Sequence, residues 1–95
     1  ELPLDSYLGG HIKALKESGM NVLSNKDFET SLKVVGRKLK INTELRGKSL
    51  TQVQYIIPGN RSYYLITCSD LKENRNALEA DFDTIAKSFQ IKRID

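Results

Sequence analysis

The hydrophobic positions of this chain fall into two spacings. Near the N-terminus Leu4, Tyr7, Leu8, Ile12 and Leu15 recur at three and four residues, which predicts an amphipathic helix over 4–18. Asp5 or Ser6 is placed to cap its start and Gly19 to stop it. Gly9-Gly10 cost about 1 kcal/mol each relative to alanine inside a helix. Either the helix starts after them or they admit a neighbouring backbone.

Beyond residue 19 the spacing shortens to two. Met20 to Ser24 reads as a short extended segment, Asn25-Lys26-Asp27 as a turn and Phe28 to Val34 as a weak strand. Val35-Gly36-Arg37 reads as the next tight turn. Leu39, Ile41, Thr43 and Leu45 then alternate with Lys38, Lys40, Asn42 and Glu44, giving a half-buried strand with a solvated outer face. Arg46-Gly47-Lys48 turns the chain into a run over 49–57. There Leu50, Gln52, Gln54 and Ile56 share one face, and Thr51, Val53, Tyr55 and Ile57 the other. Pro58-Gly59-Asn60-Arg61 joins it to a partner over 62–68, and the two should be antiparallel. Apolar residues on both faces of these two runs predict central strands.

The last element returns to helical spacing. Leu78, Phe82, Ile85 and Phe89 form the expected buried stripe, with Glu79, Asp81 and Asp83 facing outward early and Lys87 near the end. Asp70 and Glu73 have the spacing of a capping box, with Asn74 or Asn76 as later starts. Gln90 to Asp95 reads as a polar tail or a short final strand.

Composition narrows the class. Ninety-five residues, 39% hydrophobic and 28% charged, suit one ordinary folded domain over 1–95 rather than a disordered chain. No apolar run approaches the roughly 20 residues of a membrane helix. A chain that opens at Glu1 without methionine reads as a processed product or an excised piece. The net charge of +3 is concentrated. Arg37, Lys38, Lys40, Arg46 and Lys48 crowd one stretch, opposed only by Glu44, and form the candidate partner-binding patch for an acidic protein.

Candidate chemistry is sparse. His11 is the only histidine and reads as a surface or boundary residue, so paired-histidine metal sites and Ser–His or Cys–His dyads lack members. Cys68 reads as a small apolar residue at a strand end, with no cation beside it to activate the thiol. The acids of the last helix suit a solvated face, and general acid–base work would need one of them in a pocket. No glycine-rich phosphate loop and no calcium-loop spacing occurs. Asn60-Arg61-Ser62 matches a glycosylation acceptor but also suits a turn. The expectation is a protein that is not an enzyme and holds no cofactor or metal. The runner-up is a small nucleic-acid-binding domain using the basic strand over 37–48. It ranks second because the cations are not interleaved with aromatics for base stacking, and because lysines also guard an edge strand.

From Gly36-Arg37 through Leu45, then Gly47, Leu50-Thr51-Gln52-Val53-Gln54-Tyr55, Tyr63 to Thr67 and Phe82 to Phe89, the chain resembles the PsbP-like fold. That fold is shared by a photosystem II extrinsic subunit, bacterial envelope lipoprotein domains and a Ran-binding nuclear-import factor. The resemblance implies an α+β domain: an antiparallel sheet flanked by two helices as an α/β/α sandwich, without the family's first strand. It implies a non-catalytic interaction or accessory domain, exported or held at a bacterial cell envelope through a removed N-terminal segment, with a cytoplasmic setting as the alternative. No partner-binding residue carries over from the family, and no residue pattern points to an oligomeric state.

Overall fold

The computed structural model describes residues 3–71 and 78–90. Helix α1 (Leu4–Glu17) leads into strands β1 (Asn21–Glu29), β2 (Val35–Leu45), β3 (Lys48–Pro58) and β4 (Tyr63–Leu71), and helix α2 (Glu79–Lys87) follows. The strands form one antiparallel sheet in the order β1-β2-β3-β4. An α+β architecture with two helices on an antiparallel sheet is therefore what the chain adopts.

Strand alternation sorts the core onto two faces. Leu39, Ile41 and Ile56 meet Leu8 and Leu15 of α1, with Tyr7, Ile12 and Tyr63 at the margin. Val53 and Tyr55 meet Phe28 and Ala86 of α2 on the other face, with Phe82, Ile66 and Cys68 beside them. Tyr55, Leu39, Ile41, Ile56, Ile57 and Val53 are the largest fully buried side chains, so β2 and β3 carry the core. Helix α1 lies closest to β1 and α2 to β3.

Helix α1 runs through both of its glycines. A Cβ at Gly9 or Gly10 would touch nothing, so neither admits a neighbouring backbone. Pro3, not Asp5 or Ser6, sits at the N-cap, and Asp5 lies in the first turn. Gly19 ends the helix with φ +85, where only glycine is unstrained.

Two expected turns are strand instead. Asn25-Lys26-Asp27 lies inside β1, facing Leu39, Lys38 and Arg37. Polar residues fit there because β1 is an edge strand with these three side chains exposed. Gly36 lies inside β2, opposite Phe28. Its glycine identity answers to packing, since a Cβ would overlap the carbonyl oxygen of Ile56. The turn itself falls between 29 and 35. Thr30 N–H donates to Val34 O at 2.9 Å, Lys33 N–H to Thr30 O at 3.0 Å, and Lys33 takes φ 67.

The run over 62–68 is not central. Strand β4 ends the sheet, and β2 takes the central place beside β3. Its mixed pattern arises because Ile66 and Cys68 pack under α2 while Leu65 stays 45% exposed. The expected stripe of α2 is also turned. Leu78 and Ile85 are 43% and 57% exposed, and Ala86 is the fully buried residue. Asp70 belongs to β4. Glu73, Asn74, Asn76 and residues 91–95 lie outside the described residues.

Candidate interaction surface

The basic stretch over 37–48 separates into three places. Arg37 shares the α1 face with Leu39. Its Nη2 lies 2.9 Å from Asp5 Oδ1 and its Nε 3.2 Å from Asp27 Oδ1. Lys38 and Lys40 project from the opposite face, beneath α2. Arg46 and Lys48 stand exposed at the β2–β3 hairpin. Among the described residues no acid lies within ion-pair distance of either. The strand therefore does not present its five cations as one surface.

Lys38 is the centre of a charge network at the α2 interface. Its Nζ lies 2.8 Å from Glu79 Oε2, 2.8 Å from Asp83 Oδ1 and 3.1 Å from Asp83 Oδ2. Lys40 Nζ reaches Glu79 Oε1 at 2.9 Å. Tyr55 donates its hydroxyl to Asp83 Oδ1 at 2.5 Å. The Lys38 side chain is only 14% exposed, so the outer face of β2 is covered at Lys38 and Lys40 and is solvated only toward Glu44. Burial pulls its ammonium pKa down, but the hydrogen bonds to Asp83 and Glu79 outweigh that and leave it raised. Glu79 is held below the ordinary carboxylate range by its hydrogen bonds to Lys38 and Lys40. Burial, followed by the hydrogen bond to Asp83, pushes the Tyr55 phenol up. All five groups are committed to one another, so the network latches α2 to the sheet. The same pairing explains why Leu78 and Ile85 face outward: α2 is rotated to seat Glu79 and Asp83 on the lysines.

His11 is half-buried at the α1 boundary. Its Nε2 lies 2.7 Å from Oε1 of the buried Gln54, an acceptor, so Nε2 donates. Its ring continues a stack in which Tyr7 lies 6.2 Å from His11 and 4.4 Å from Tyr63. Cys68 is half-buried under α2, and burial pushes its thiol up, away from reactivity. Among the described residues no three His, Cys, Asp or Glu side chains gather as metal ligands would.

Among the described residues both edge strands, β1 and β4, leave outward backbone groups unbonded, and at β4 the β2–β3 hairpin sets their phase. Arg46 at φ 53 and Gly47 at φ 79 form a two-residue loop of the primed type. Such a loop closes on a hydrogen-bonded pair, here Leu45–Lys48, and bonded pairs then recur at every second position. Thr51, Val53, Tyr55 and Ile57 are left to bond across to β4, opposite Asp70, Cys68, Ile66 and Tyr64. Leu65, Thr67 and Ser69 therefore turn their N–H and C=O groups outward. Among the described residues no strand lies beyond them. Tyr64 and Leu65 add exposed apolar surface on opposite faces of the same edge.

The chain matches no family model, no curated protein and no solved structure. Sequence reasoning missed the latch and the open edge for different reasons. Lys38 and Lys40 alternate like surface residues, and only the rotation of α2 brings acids to them. The edge position of β4 follows from strand order, which its alternation does not encode.

Proposed function

We propose that this chain is a non-catalytic interaction domain that docks a protein partner along the outer edge of β4. The observation that carries this reading is the row of outward backbone groups at Leu65, Thr67 and Ser69, flanked by exposed Tyr64 and Leu65. An edge strand of this kind takes an added strand through main-chain hydrogen bonds, and alternate side chains select the partner. Tyr55, Lys38, Asp83 and Glu79 spend their hydrogen bonds on each other. That favours a binding role over a catalytic one. The PsbP-like resemblance supports an accessory setting in a bacterial cell envelope. Arg46 and Lys48 at the hairpin supply a secondary contact for acidic surface.

Affinity capture from the source lysate tests the reading with wild type, Thr67→Pro, Leu65→Lys and an Arg46→Glu/Lys48→Glu pair. The wild type should retain specific proteins that both edge variants lose. The hairpin pair should keep them, and raised salt should change little, because the contact is not mainly ionic. Capture that ignores the edge variants, or that vanishes with the hairpin pair and with salt, overturns the proposal.

A further inference from the structure

The two edges of this sheet are protected very differently. Strand β1 carries Lys26, Asp27 and Glu29 and a register irregularity between Val22 and Ser24. Charges and bulges are the usual means of stopping edge-to-edge pairing. Strand β4 has neither over its central part. Tyr64 to Ser69 contains no charged residue and no proline, and its register against β3 is unbroken from Leu71 to Tyr63. Thr67 is β-branched, as strands favour. The occupant that suits this edge is an uncharged, strand-forming segment that offers its own outward amides in the same phase. The β4 segment is itself such a strand.

We infer that β4 pairs with β4 of a second copy, antiparallel about a two-fold axis at Thr67, joining two four-stranded sheets into one. This rests on the reading of the β4 edge as the docking element. The register follows from the bonding phase. With Thr67 facing Thr67 of the other copy, Leu65 faces Ser69, and all three outward residues become bonded pairs at once. Ile66 then faces Cys68, and Tyr64 faces Asp70, so no like charges meet. The threonine pair is a favourable cross-strand contact. A two-fold axis normal to the sheet puts both α1 helices on one face and both α2 helices on the other. Helix α1 lies closest to β1 and α2 to β3. Where they reach β4 they cover the faces of its side chains, Tyr63 under Tyr7, Tyr64 against Phe89, and Ile66 and Cys68 beside Phe82, leaving the outward backbone row to the join. The interface is isologous and closes at two copies, since among the described residues the sheet's other edge, β1, is guarded.

Light scattering across a wide concentration range tests the dimer directly. The wild type should rise from the mass of one chain toward two. Thr67→Pro removes an outward N–H that β3 does not use, and Leu65→Lys adds a charge to the edge. Both should stay at the mass of one chain while keeping the wild-type circular dichroism. A cysteine pair supplies the positive arm. In a Cys68→Ala background, Thr67→Cys should cross-link two chains under mild oxidation, because bonded antiparallel partners sit about 5.5 Å apart at Cα. Leu23→Cys on the guarded β1 edge should not. A wild type at single-chain mass throughout, a dimer that survives both edge variants, or cross-linking only through Leu23→Cys overturns the inference. If the wild type stays single while lysate capture still depends on the edge, the second copy is excluded and the docking edge stands. If capture ignores the edge, the docking reading itself fails.

Discussion

Gly36 and the Gly9-Gly10 pair occupy opposite ends of what glycine does in this chain. At Gly36 the missing side chain lets β2 and β3 approach, since a Cβ there would overlap the carbonyl oxygen of Ile56. Backbone cannot yield as a flexible side chain would. Gly36→Ala should therefore lower stability by about 1–3 kcal/mol, the usual cost of forcing atoms into a packed site. At Gly9 and Gly10 the space is open and the backbone is helical. Alanine there should raise stability by about 1 kcal/mol per site through helix propensity. Urea unfolding midpoints of the three variants check both signs. A neutral Gly36→Ala would mean that β2 and β3 are not held this closely. At this scale the sequence shows where glycine occurs but not why. Gly36 sits next to Arg37 and reads as a turn because the carbonyl that excludes a side chain comes from a strand some twenty residues away.

The decisive element is α2, because its contacts are split between apolar packing and charge. Ala86 and Phe82 pack on Phe28, Val53 and Tyr55, and Glu79 and Asp83 close over Lys38 and Lys40. Reversing Lys38 and Lys40 to glutamate would set like charges against Glu79 and Asp83 at a partly buried contact. Such a variant should lose α2 docking and about 3–5 kcal/mol, as when one side of a buried pair is removed. It is thus no neutral probe of a binding patch. The network also fixes a pH response. Glu79 has its folded pKa depressed, so its stabilising contribution is present above the unfolded carboxylate value of about 4.3. It is lost as pH falls through the lower folded value. Glu79→Gln should flatten the acid limb of stability between neutral pH and about pH 3, read as urea midpoints. Parallel curves for variant and wild type would remove the latch. On the alkaline side Lys38 and Tyr55 have raised folded values, so their contribution is complete below about pH 10 and lost as pH rises through them.

Helix α1, the alternation of β2 and β3, and the hairpin at Arg46-Gly47 were legible in the sequence, because each rests on local period or local turn chemistry. The rotation of α2 was not. Leu78, Phe82, Ile85 and Phe89 have ideal spacing for a stripe, yet the helix turns far enough to expose Leu78 and Ile85. The gain is ion pairing with lysines from another element, a term that periodicity along one segment cannot contain. The same holds for the acids, which read as a solvated face and lie against the sheet.

At the scale of the whole molecule the sheet is an asymmetric object. Its β1 edge is charged and irregular, and its β4 edge is smooth and uncharged over Tyr64 to Ser69. A domain that used neither edge would gain by guarding both. The guarded edge is the one next to α1, and the open edge carries the exposed apolar residues Tyr64 and Leu65. Strand order creates this contrast, so in the linear sequence the five cations stand out and the uncharged strand does not. Thr67→Pro should leave unfolding midpoints within about 1 kcal/mol of wild type, because an edge proline facing outward costs the ladder nothing. Large destabilisation would show that the Thr67 amide is already bonded inside the fold.

Residue-resolved amide hydrogen exchange on β4 asks the central question most directly. In dilute solution Ile66 and Cys68 should be protected by their bonds to β3, and Leu65, Thr67 and Ser69 should exchange quickly. At high concentration the three outward amides should gain protection together. Uniform protection along Leu65 to Ser69 in dilute solution would mean that the edge is closed, and would contradict docking along β4.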